Sequence, residues 1–218
     1  VDYEVTLNRK GRAEKYLKKR LDRPVGLYYI ADMKTKTIRG TAKEKILEVA
    51  TDLFYRQGYN ATGIQQIINE AGVSKGSFYT HYKTKNDLGV AYMQKRHNDE
   101  HTYLKQILSE IKDPYEKYLQ FNQIMKEWMK STGYRGCAFA NMSAEVVDSN
   151  SPIRKEAKYH YEAFRSVIRD MIDDLLKSDE KYKDLDAQYV ADQYMIISIG
   201  ALTNAEIYQD TWPYDHAD

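Results

Sequence analysis

Apolar residues repeat at intervals of three and four along most of the chain, the period of a helix that buries one face. The first run follows Thr41 and contains Ile46, Val49, Ala50, Leu53 and Phe54. The second contains Ile64, Ile67, Ile68 and Ala71. Only 11 glycines and 4 prolines occur in 218 residues, so the pattern predicts an all-α protein.

Polar residues and glycines mark the predicted ends of these two helices. Thr41 and Glu44 have the spacing of a capping box, in which each side chain accepts a backbone N–H at the helix start. Gly58 is the predicted stop of the first helix. Thr62 is predicted to cap the second helix, and Gly72 to end it.

The stretch "GVSKGSFYTHYKTK", residues 72–85, predicts a third helix directly after the second. Ser74 has the position of its N-cap, and Val73 with Phe78 has the spacing of a hydrophobic staple. Two short helices joined only by Gly72 and Val73 must cross steeply. This arrangement indicates a helix-turn-helix.

The third helix has two chemically different faces. Phe78 and Tyr82 are predicted to point toward the core. The opposite face carries Lys75, Gly76, Tyr79 and Thr80. A helical glycine costs about 1 kcal/mol relative to alanine, which is understandable if its missing side chain lets the backbone approach DNA.

A fourth helix is predicted to begin after Thr84, with Asp87 as its capping-box partner. Lys85, in its first turn, is unfavourable for the helix dipole but well placed beside a phosphate.

Two later segments are also predicted helices. One repeats apolar residues through Phe164, Val167, Ile168, Met171, Ile172, Leu175 and Leu176. The other, residues 186–208, is apolar on more than one face around Met195, Ile196, Ile197 and Ile199. A helix with two apolar sides needs two packing partners.

Charge is distributed unevenly along the chain. Residues 33–96 hold 11 basic and 5 acidic side chains, whereas residues 97–218 hold 14 basic and 22 acidic. The front of the chain is therefore predicted to bind a polyanion. One cysteine excludes an internal disulfide, and no apolar run reaches the length of a membrane span, so cytoplasmic residence is expected.

Residues 41–93 resemble the DNA-binding domain of the Tet repressor (TetR) family. The motifs that carry the resemblance are "ILEVATDLFYRQGYNAT" and "IINEAGVSKGSFYTHYKTKNDL", together with their spacing. The resemblance implies an all-helical homodimer, in which an N-terminal three-helix helix-turn-helix domain binds a palindromic operator. It also implies a larger C-terminal helical domain for dimerisation and for binding a small-molecule inducer.

The resemblance assigns DNA contacts by position. Backbone contacts are implied for Thr62, Ser77, Tyr79, His81 and Lys85, and base-edge contacts for Lys75, Gly76 and Thr80; Ser74 completes the predicted interface. Lysine can donate to guanine, and a threonine methyl can contact a thymine methyl. A packed core position remains an equal alternative for His81, and it is the favoured one for Tyr82.

The second half supplies two further predicted sets. The last two long helices suit the family's four-helix dimer interface, with Phe164, Ile168, Met171, Leu175, Tyr194, Ile197 and Ala201 as its candidate residues. An apolar or aromatic inducer is predicted to contact Phe121, Met125, Trp128, Cys137, Asn141, Glu145 and Tyr159. For any single aromatic residue of this set, an ordinary core position is the alternative.

Cys137 precedes a predicted helix start, where the helix dipole would lower the pKa of a thiol. Redox sensing is one hypothesis for this residue, and a small buried apolar side chain is the alternative.

Two other functions are alternatives to a DNA-binding regulator that responds to a small ligand. His97, Glu100 and His101 reproduce the H-x-x-E-H order of some zinc peptidases, but no third ligand can be named. No catalytic residue, metal site or cofactor is therefore predicted. A DNA-binding dimer without a ligand would instead have a packed C-terminal core that lacks an enclosed cavity.

The predicted organisation has three parts: residues 1–32, 33–96 and 97–218. The first is an extension of uncertain origin, either an upstream or fused segment or a basic arm that touches DNA. The second is the helix-turn-helix domain with the start of a connecting helix. The third is the ligand-binding and dimerisation domain.

Overall fold

The computed structural model describes residues 40–217, and within this range it contains helices and no strands. The α-helices are α1 (Ala42–Gln57), α2 (Ile64–Ala71), α3 (Lys75–His81), α4 (Lys85–Glu110), α5 (Pro114–Ser131), α6 (Ala138–Glu145), α7 (Pro152–Lys177), α8 (Ala187–Tyr208) and α9 (Trp212–Asp215). A short 3₁₀ turn spans Glu180–Tyr182. The predicted fold class is confirmed, whereas the N-terminal extension 1–32 lies outside the described residues.

Reciprocal hydrogen bonds fix the starts of α1 and α4, as predicted. The Thr41 N–H donates to Glu44 Oε2 at 2.8 Å, and the Glu44 N–H donates back to Thr41 Oγ1 at 3.3 Å. Thr84 and Asp87 form the same pair at 2.9 and 3.0 Å. Gly72 ends α2 in the left-handed conformation, with φ 62° and ψ 39°.

The predicted cap of α2 is wrong. Gly63 is the N-cap residue of α2 and makes no side-chain capping bond. Thr62 is instead completely buried, and its hydroxyl donates to the carbonyl oxygen of Gly58 at 2.7 Å. The hydroxyl therefore satisfies the carbonyl that ends α1 instead of an N–H that begins α2.

The described residues form two compact units that are interleaved along the sequence. The first unit comprises residues 40–104 and 135–164, and the second comprises residues 105–134 and 165–217. The division by packing therefore does not coincide with the sequence division at residue 96.

The core of the first unit joins the helix-turn-helix to α6 and the start of α7. Its fully buried members include Ile46, Leu53, Ile67, Phe78, Leu88, Met93, Phe139 and Ile153. Because Phe139 belongs to α6 and Ile153 to α7, these two helices help to close the core around α1, α2 and α3.

Gly89 in α4 marks the closest approach of helices in this unit. A Cβ atom there would lie 2.7 Å from Ile153 Cδ1, 3.1 Å from Met142 Cε and 3.2 Å from Tyr59 Cε2. Any side chain would push apart α4, α6 and α7, so the glycine permits their close packing.

The second unit packs α5 against α8 and α9. The Tyr194 ring contacts the Tyr118 and Phe121 rings, with centroids 5.1 and 5.7 Å apart. Arg165 of α7 binds both carboxylate oxygens of Asp192 in α8 at 2.6 Å, a bidentate pair that fixes the geometry of the two helices.

None of the helices found between residues 40 and 217 has the length and apolar character that crossing a membrane requires.

Candidate nucleic-acid interface

The third helix separates a buried face from an exposed one, as predicted. Phe78 is completely buried and Tyr82 is 4% exposed. The exposed residues of α3 are Lys75, Gly76, Tyr79, Thr80 and His81. His81 thus lies at the surface and not in the core. The outward face of α3 presents cationic, aromatic and hydroxyl groups on a rigid seven-residue helix.

Local hydrogen bonds hold this face in place. The Ser74 side chain accepts from the Ser77 N–H at 3.1 Å and caps α3. The Thr80 hydroxyl donates to the carbonyl oxygen of Gly76 at 2.9 Å. Because that hydroxyl is engaged, the methyl group of Thr80 is the part left for an apolar contact.

Gly76 leaves the centre of the exposed face bare. A Cβ atom at this position would meet only Ser74 Oγ, at 3.9 Å. The fold of the described residues would accommodate a side chain here, so packing does not explain the glycine. Close approach by another molecule does explain it.

Lys85, at the first turn of α4, is partly buried beside the loop that joins α1 to α2. Its Nζ atom lies 4.4 Å from the centroid of the Tyr59 ring and 3.5 Å from the carbonyl oxygen of Asn60. Burial lowers the pKa of Lys85, and the charge of Glu145 acts in the opposite direction. The ammonium is therefore held on a defined surface instead of moving freely in solvent.

Thr62 does not fit the interface that the sequence predicts. Its side chain is completely buried and its hydroxyl is bonded within the protein, so it cannot reach a phosphate. Its role is to complete the end of α1, and the proposed interface does not include it.

The seven predicted inducer contacts are divided between the two units. Phe121 is completely buried in the second unit, where Met125 and Trp128 are half-buried. Cys137, Asn141, Glu145 and Tyr159 belong to the first unit. Tyr159 is 58% exposed.

Asn141 and Glu145 both hydrogen-bond to backbone groups of the first unit. The Asn141 side-chain amide donates to the carbonyl oxygen of Arg135 at 2.9 Å, and Glu145 accepts from the α1–α2 loop. A crevice beside them is lined by Phe54, Tyr55, Tyr92, Ala138 and Met142, and it has no room for a water molecule. The side chains that were expected to orient a ligand therefore bind the protein itself here.

Cys137 is the N-cap residue of α6, but the predicted lowering of its pKa is wrong. Burial raises the pKa of the thiol, and the charge of Glu100 acts in the same direction. The Tyr161 hydroxyl donates to Sγ at 3.6 Å. A partly buried thiol with a raised pKa stays protonated and is a poor nucleophile, which favours the alternative of a small apolar side chain.

The H-x-x-E-H residues of α4 are engaged in other contacts. The rings of His97 and His101 stack, and His97 Nδ1 lies 3.3 Å from His160 Nδ1. Glu100 pairs with Arg96, which is 1% exposed, at 2.5 Å. In the part of the chain that the structure describes, no three His, Cys, Asp or Glu side chains are arranged to hold a metal ion.

Most of the residues predicted for a dimer interface are buried within a single chain. Ile168, Met171, Tyr194 and Ala201 are 0, 2, 5 and 6% exposed, so they pack the second unit itself. Leu175 is half-buried, and Phe164 is half-buried in the first unit. Ile197 is 50% exposed, and its contact in a dimer stays a prediction.

α8 has an exposed apolar face of which the predicted dimer contacts include only Ile197. It consists of Tyr189, Ile196, Ile207 and Tyr208, exposed by 66, 66, 70 and 61%, beside Ile197. The two apolar sides of α8 were visible in the sequence. Periodicity alone, however, does not show which side faces the helix's own unit.

Two family models match this chain. The model described as "Bacterial regulatory proteins, tetR family" matches residues 46–92. The model described as "Tetracyclin repressor-like, C-terminal domain" matches residues 115–218.

Characterised relatives agree with these matches. The HTH-type transcriptional regulator LmrA of Bacillus subtilis is 30% identical over 139 residues, which cover 61% of this chain and 72% of LmrA. The HTH-type transcriptional repressor DhaR of a Mycobacterium species is 24% identical over 177 residues, covering 81% and 88%.

Solved structures share the fold. A TetR-family transcriptional regulator from Streptomyces coelicolor superposes with a TM-score of 0.72 at 22% identity, covering 81% of this chain and 84% of that one. The reduced form of Escherichia coli NemR superposes with a TM-score of 0.69 at 20% identity, covering 81% and 93%.

Proposed function

This chain belongs to the TetR family of helix-turn-helix transcriptional regulators, and we propose that it represses transcription by binding a palindromic operator as a homodimer. A small apolar or aromatic inducer releases the protein from the operator. The proposal rests first on the outward face of α3, where Lys75, Tyr79 and the bare backbone at Gly76 are exposed together. A short, rigid helix with this surface is suited to the major groove.

Two kinds of DNA contact follow from the positions of these residues. Lys75 and Thr80 belong to the exposed face of α3 and are assigned to base edges. Tyr79, His81 and Lys85 are assigned to phosphates, together with the serines at the start of α3. In a dimer that reads one palindrome, the two α3 helices would be separated by about one DNA turn, roughly 34–36 Å.

The roles of the lysines and Tyr79 can be separated by binding measurements. We expect Tyr79→Ala and Lys85→Ala to weaken binding to every duplex. Lys85→Ala should also reduce the slope of the salt dependence by about 0.9, because it removes one cation that neutralises a phosphate, whereas the loss of the uncharged Tyr79 should leave the slope unchanged. Lys75→Ala should reduce the discrimination between preferred and altered sites by about 1–3 kcal/mol. The protein first selects a duplex from a pool of random sequences. Fluorescence anisotropy with this duplex and its altered forms, across a series of salt concentrations, then measures both effects.

The matched control is Lys155→Ala, which removes an exposed lysine from α7. It should leave both the affinity and the salt slope unchanged. The assigned roles would be refuted if the three interface variants changed affinity, slope and sequence preference in the same way.

The exposed apolar face of α8 supports the homodimer. Tyr189, Ile196 and Ile207 are separated by 7 and 11 residues, which places them along one line of the helix. Gly200 lies between them, and a Cβ atom there would meet nothing within 4 Å. A second copy of this face could approach closely and cover apolar surface that is otherwise in water.

Two buried polar groups in the second unit support an inducer site. Gln120 and Ser198 are 6 and 4% exposed, and their side-chain oxygens have no hydrogen-bond partner among residues 40–217. Burying such an atom costs about 1–3 kcal/mol unless a partner is supplied. A mostly apolar molecule with one or two polar groups could supply it. Binding would favour dimers whose α3 helices have a different separation, which lowers operator affinity.

A further inference from the structure

Glu145, the last residue of α6, bonds to the backbone of the loop between α1 and α2. Its Oε1 atom accepts from the Tyr59 N–H at 3.0 Å, and its Oε2 atom accepts from the Asn60 N–H at 2.6 Å. The Asn60 side-chain amide donates to the carbonyl oxygen of Glu145 at 3.2 Å. These three bonds join segments that are 85 or 86 residues apart in the sequence.

The loop is shaped to receive this carboxylate. Gly58 has φ +96°, a conformation that side chains disfavour, and a Cβ atom there would lie 2.7 Å from Glu145 Oε1. Any other residue at Gly58 would displace the carboxylate. The glycine that ends α1 therefore also provides the space for Glu145.

The same loop carries the contacts of Lys85. The Lys85 Nζ atom lies 3.5 Å from the carbonyl oxygen of Asn60 and 4.4 Å from the Tyr59 ring centroid. The Tyr59 hydroxyl donates to Asn86 Oδ1, the residue after Lys85, at 2.5 Å. Glu145 binds the N–H groups of the two residues against which the lysine rests.

We propose that Glu145 is a positioning residue for DNA binding, which sets the α1–α2 loop and through it the Lys85 ammonium. The inference rests on the proposed function, because Lys85 is a phosphate contact only if the chain binds DNA. Glu145 and the loop therefore connect the end of α6 to Lys85, the first residue of α4.

Positioning and simple electrostatics predict opposite effects for the loss of this carboxylate. A negative charge near a phosphate contact opposes DNA binding, so its removal alone should raise the affinity. If the carboxylate orders the loop, its removal should lower the affinity. The side-chain amide of glutamine would present an N–H where one backbone N–H must donate, so Glu145→Gln breaks one of the two loop bonds.

The test compares Glu145→Gln with Glu162→Gln, which removes the same charge from an exposed residue of α7 in the same unit. Binding is measured with the duplex that the parent protein selects, well below the melting temperature of each variant. We expect Glu145→Gln to bind about tenfold more weakly than the parent, and Glu162→Gln to bind as the parent does. Hydrogen exchange at the amides of Tyr59 and Asn60 should accelerate at least about tenfold. Glu145→Asp keeps the charge but shortens the side chain, so it should weaken DNA binding by a similar factor. This variant replaces Glu145→Gln in the test if Glu145→Gln does not fold.

A double-mutant cycle separates positioning from a purely structural role. In the parent, Lys85→Ala should weaken binding about tenfold, whereas in the Glu145→Gln background it should weaken binding less than about threefold. Additive effects, or unchanged or tighter binding by Glu145→Gln, would overturn the inference. Failure of the proposed function has a different signature, since the parent protein itself would then select no duplex.

Discussion

Replacing Ile196 by aspartate is expected to convert the proposed dimer into monomers and to weaken operator binding by at least about a hundredfold. The side chain is 66% exposed in the single chain, so the fold of the second unit should tolerate the change. In the proposed dimer the same position faces its counterpart across α8. An unpaired carboxylate buried there would be costly.

The expected loss of affinity follows because a dimer joins two DNA-binding domains. Once one DNA-binding domain of a dimer is bound, the other is held at a high local concentration near its half-site. This increases the affinity for the full operator by a factor of about 10²–10⁴. A monomer loses this factor although its α3 surface is intact. Residual binding should therefore resemble binding to a single half-site.

Sedimentation velocity gives the mass, and anisotropy with full and half operators gives the affinity. Val147→Asp is the matched control, because Val147 is 90% exposed but belongs to the first unit and not to α8. It should remain dimeric and bind as the parent does. If Ile196→Asp retained the dimer mass and full affinity, the α8 face would not be the dimer interface.

Local features of the helix-turn-helix could be predicted from the sequence. The capping boxes at Thr41 and Thr84 and the left-handed end at Gly72 depend on residues only a few positions apart. The burial of Phe78 and Tyr82 follows from helical period on a short helix. For such features, spacing along the chain determines spacing in the structure.

Features set by distant contacts could not be predicted. The sequence placed Glu145 near a ligand, whereas its partners are loop amides 85 and 86 residues away. The helix dipole suggested a lowered pKa for the Cys137 thiol, but desolvation where the residue packs against the core of the first unit outweighs the dipole. Ile168 and Tyr194, predicted for the dimer interface, are buried within the second unit, because apolar spacing does not distinguish a helix's own core from a surface that a partner covers.

The packing of α6 joins it to the helix-turn-helix. Phe139 and Met142 of α6 belong to the same buried cluster as Phe78 of α3. α6 therefore contributes both to the buried cluster that contains Phe78 and, through Glu145, to the hydrogen bonds of the α1–α2 loop.

Acidification is expected to destabilise the first unit through His160. Its ring stacks on Phe139 with centroids 3.5 Å apart, and its Nδ1 faces His97 Nδ1 at 3.3 Å. Burial, with the nearby charges of His97, Arg96 and His101, lowers the pKa of His160 to about 3. One Nδ1 of the pair must accept the other's hydrogen, so two protonated rings cannot keep this contact.

The sign of the pH effect follows from proton uptake. The unfolded chain binds a proton at His160 below about pH 6.5, while the folded chain stays neutral until about pH 3. The free energy of unfolding should be unaffected by this group above pH 6.5. Below that value it should fall by about 1.4 kcal/mol per pH unit, reaching a loss of about 3 kcal/mol near pH 4.5.

Urea denaturation between pH 4.5 and 7.5 measures this loss, and His160→Phe isolates the contribution of His160. Phenylalanine keeps a flat ring against Phe139 but binds no proton, so the stability of the variant should depend less steeply on pH. Carboxylates titrate in both proteins. The contribution of His160 is therefore the difference between the parent and His160→Phe in how steeply the free energy of unfolding depends on pH. Parallel curves for the parent and the variant would contradict this prediction. They would show that His160 takes up a proton equally well in the folded and unfolded chains, although its imidazole lies beside Arg96 and His97 in the folded chain.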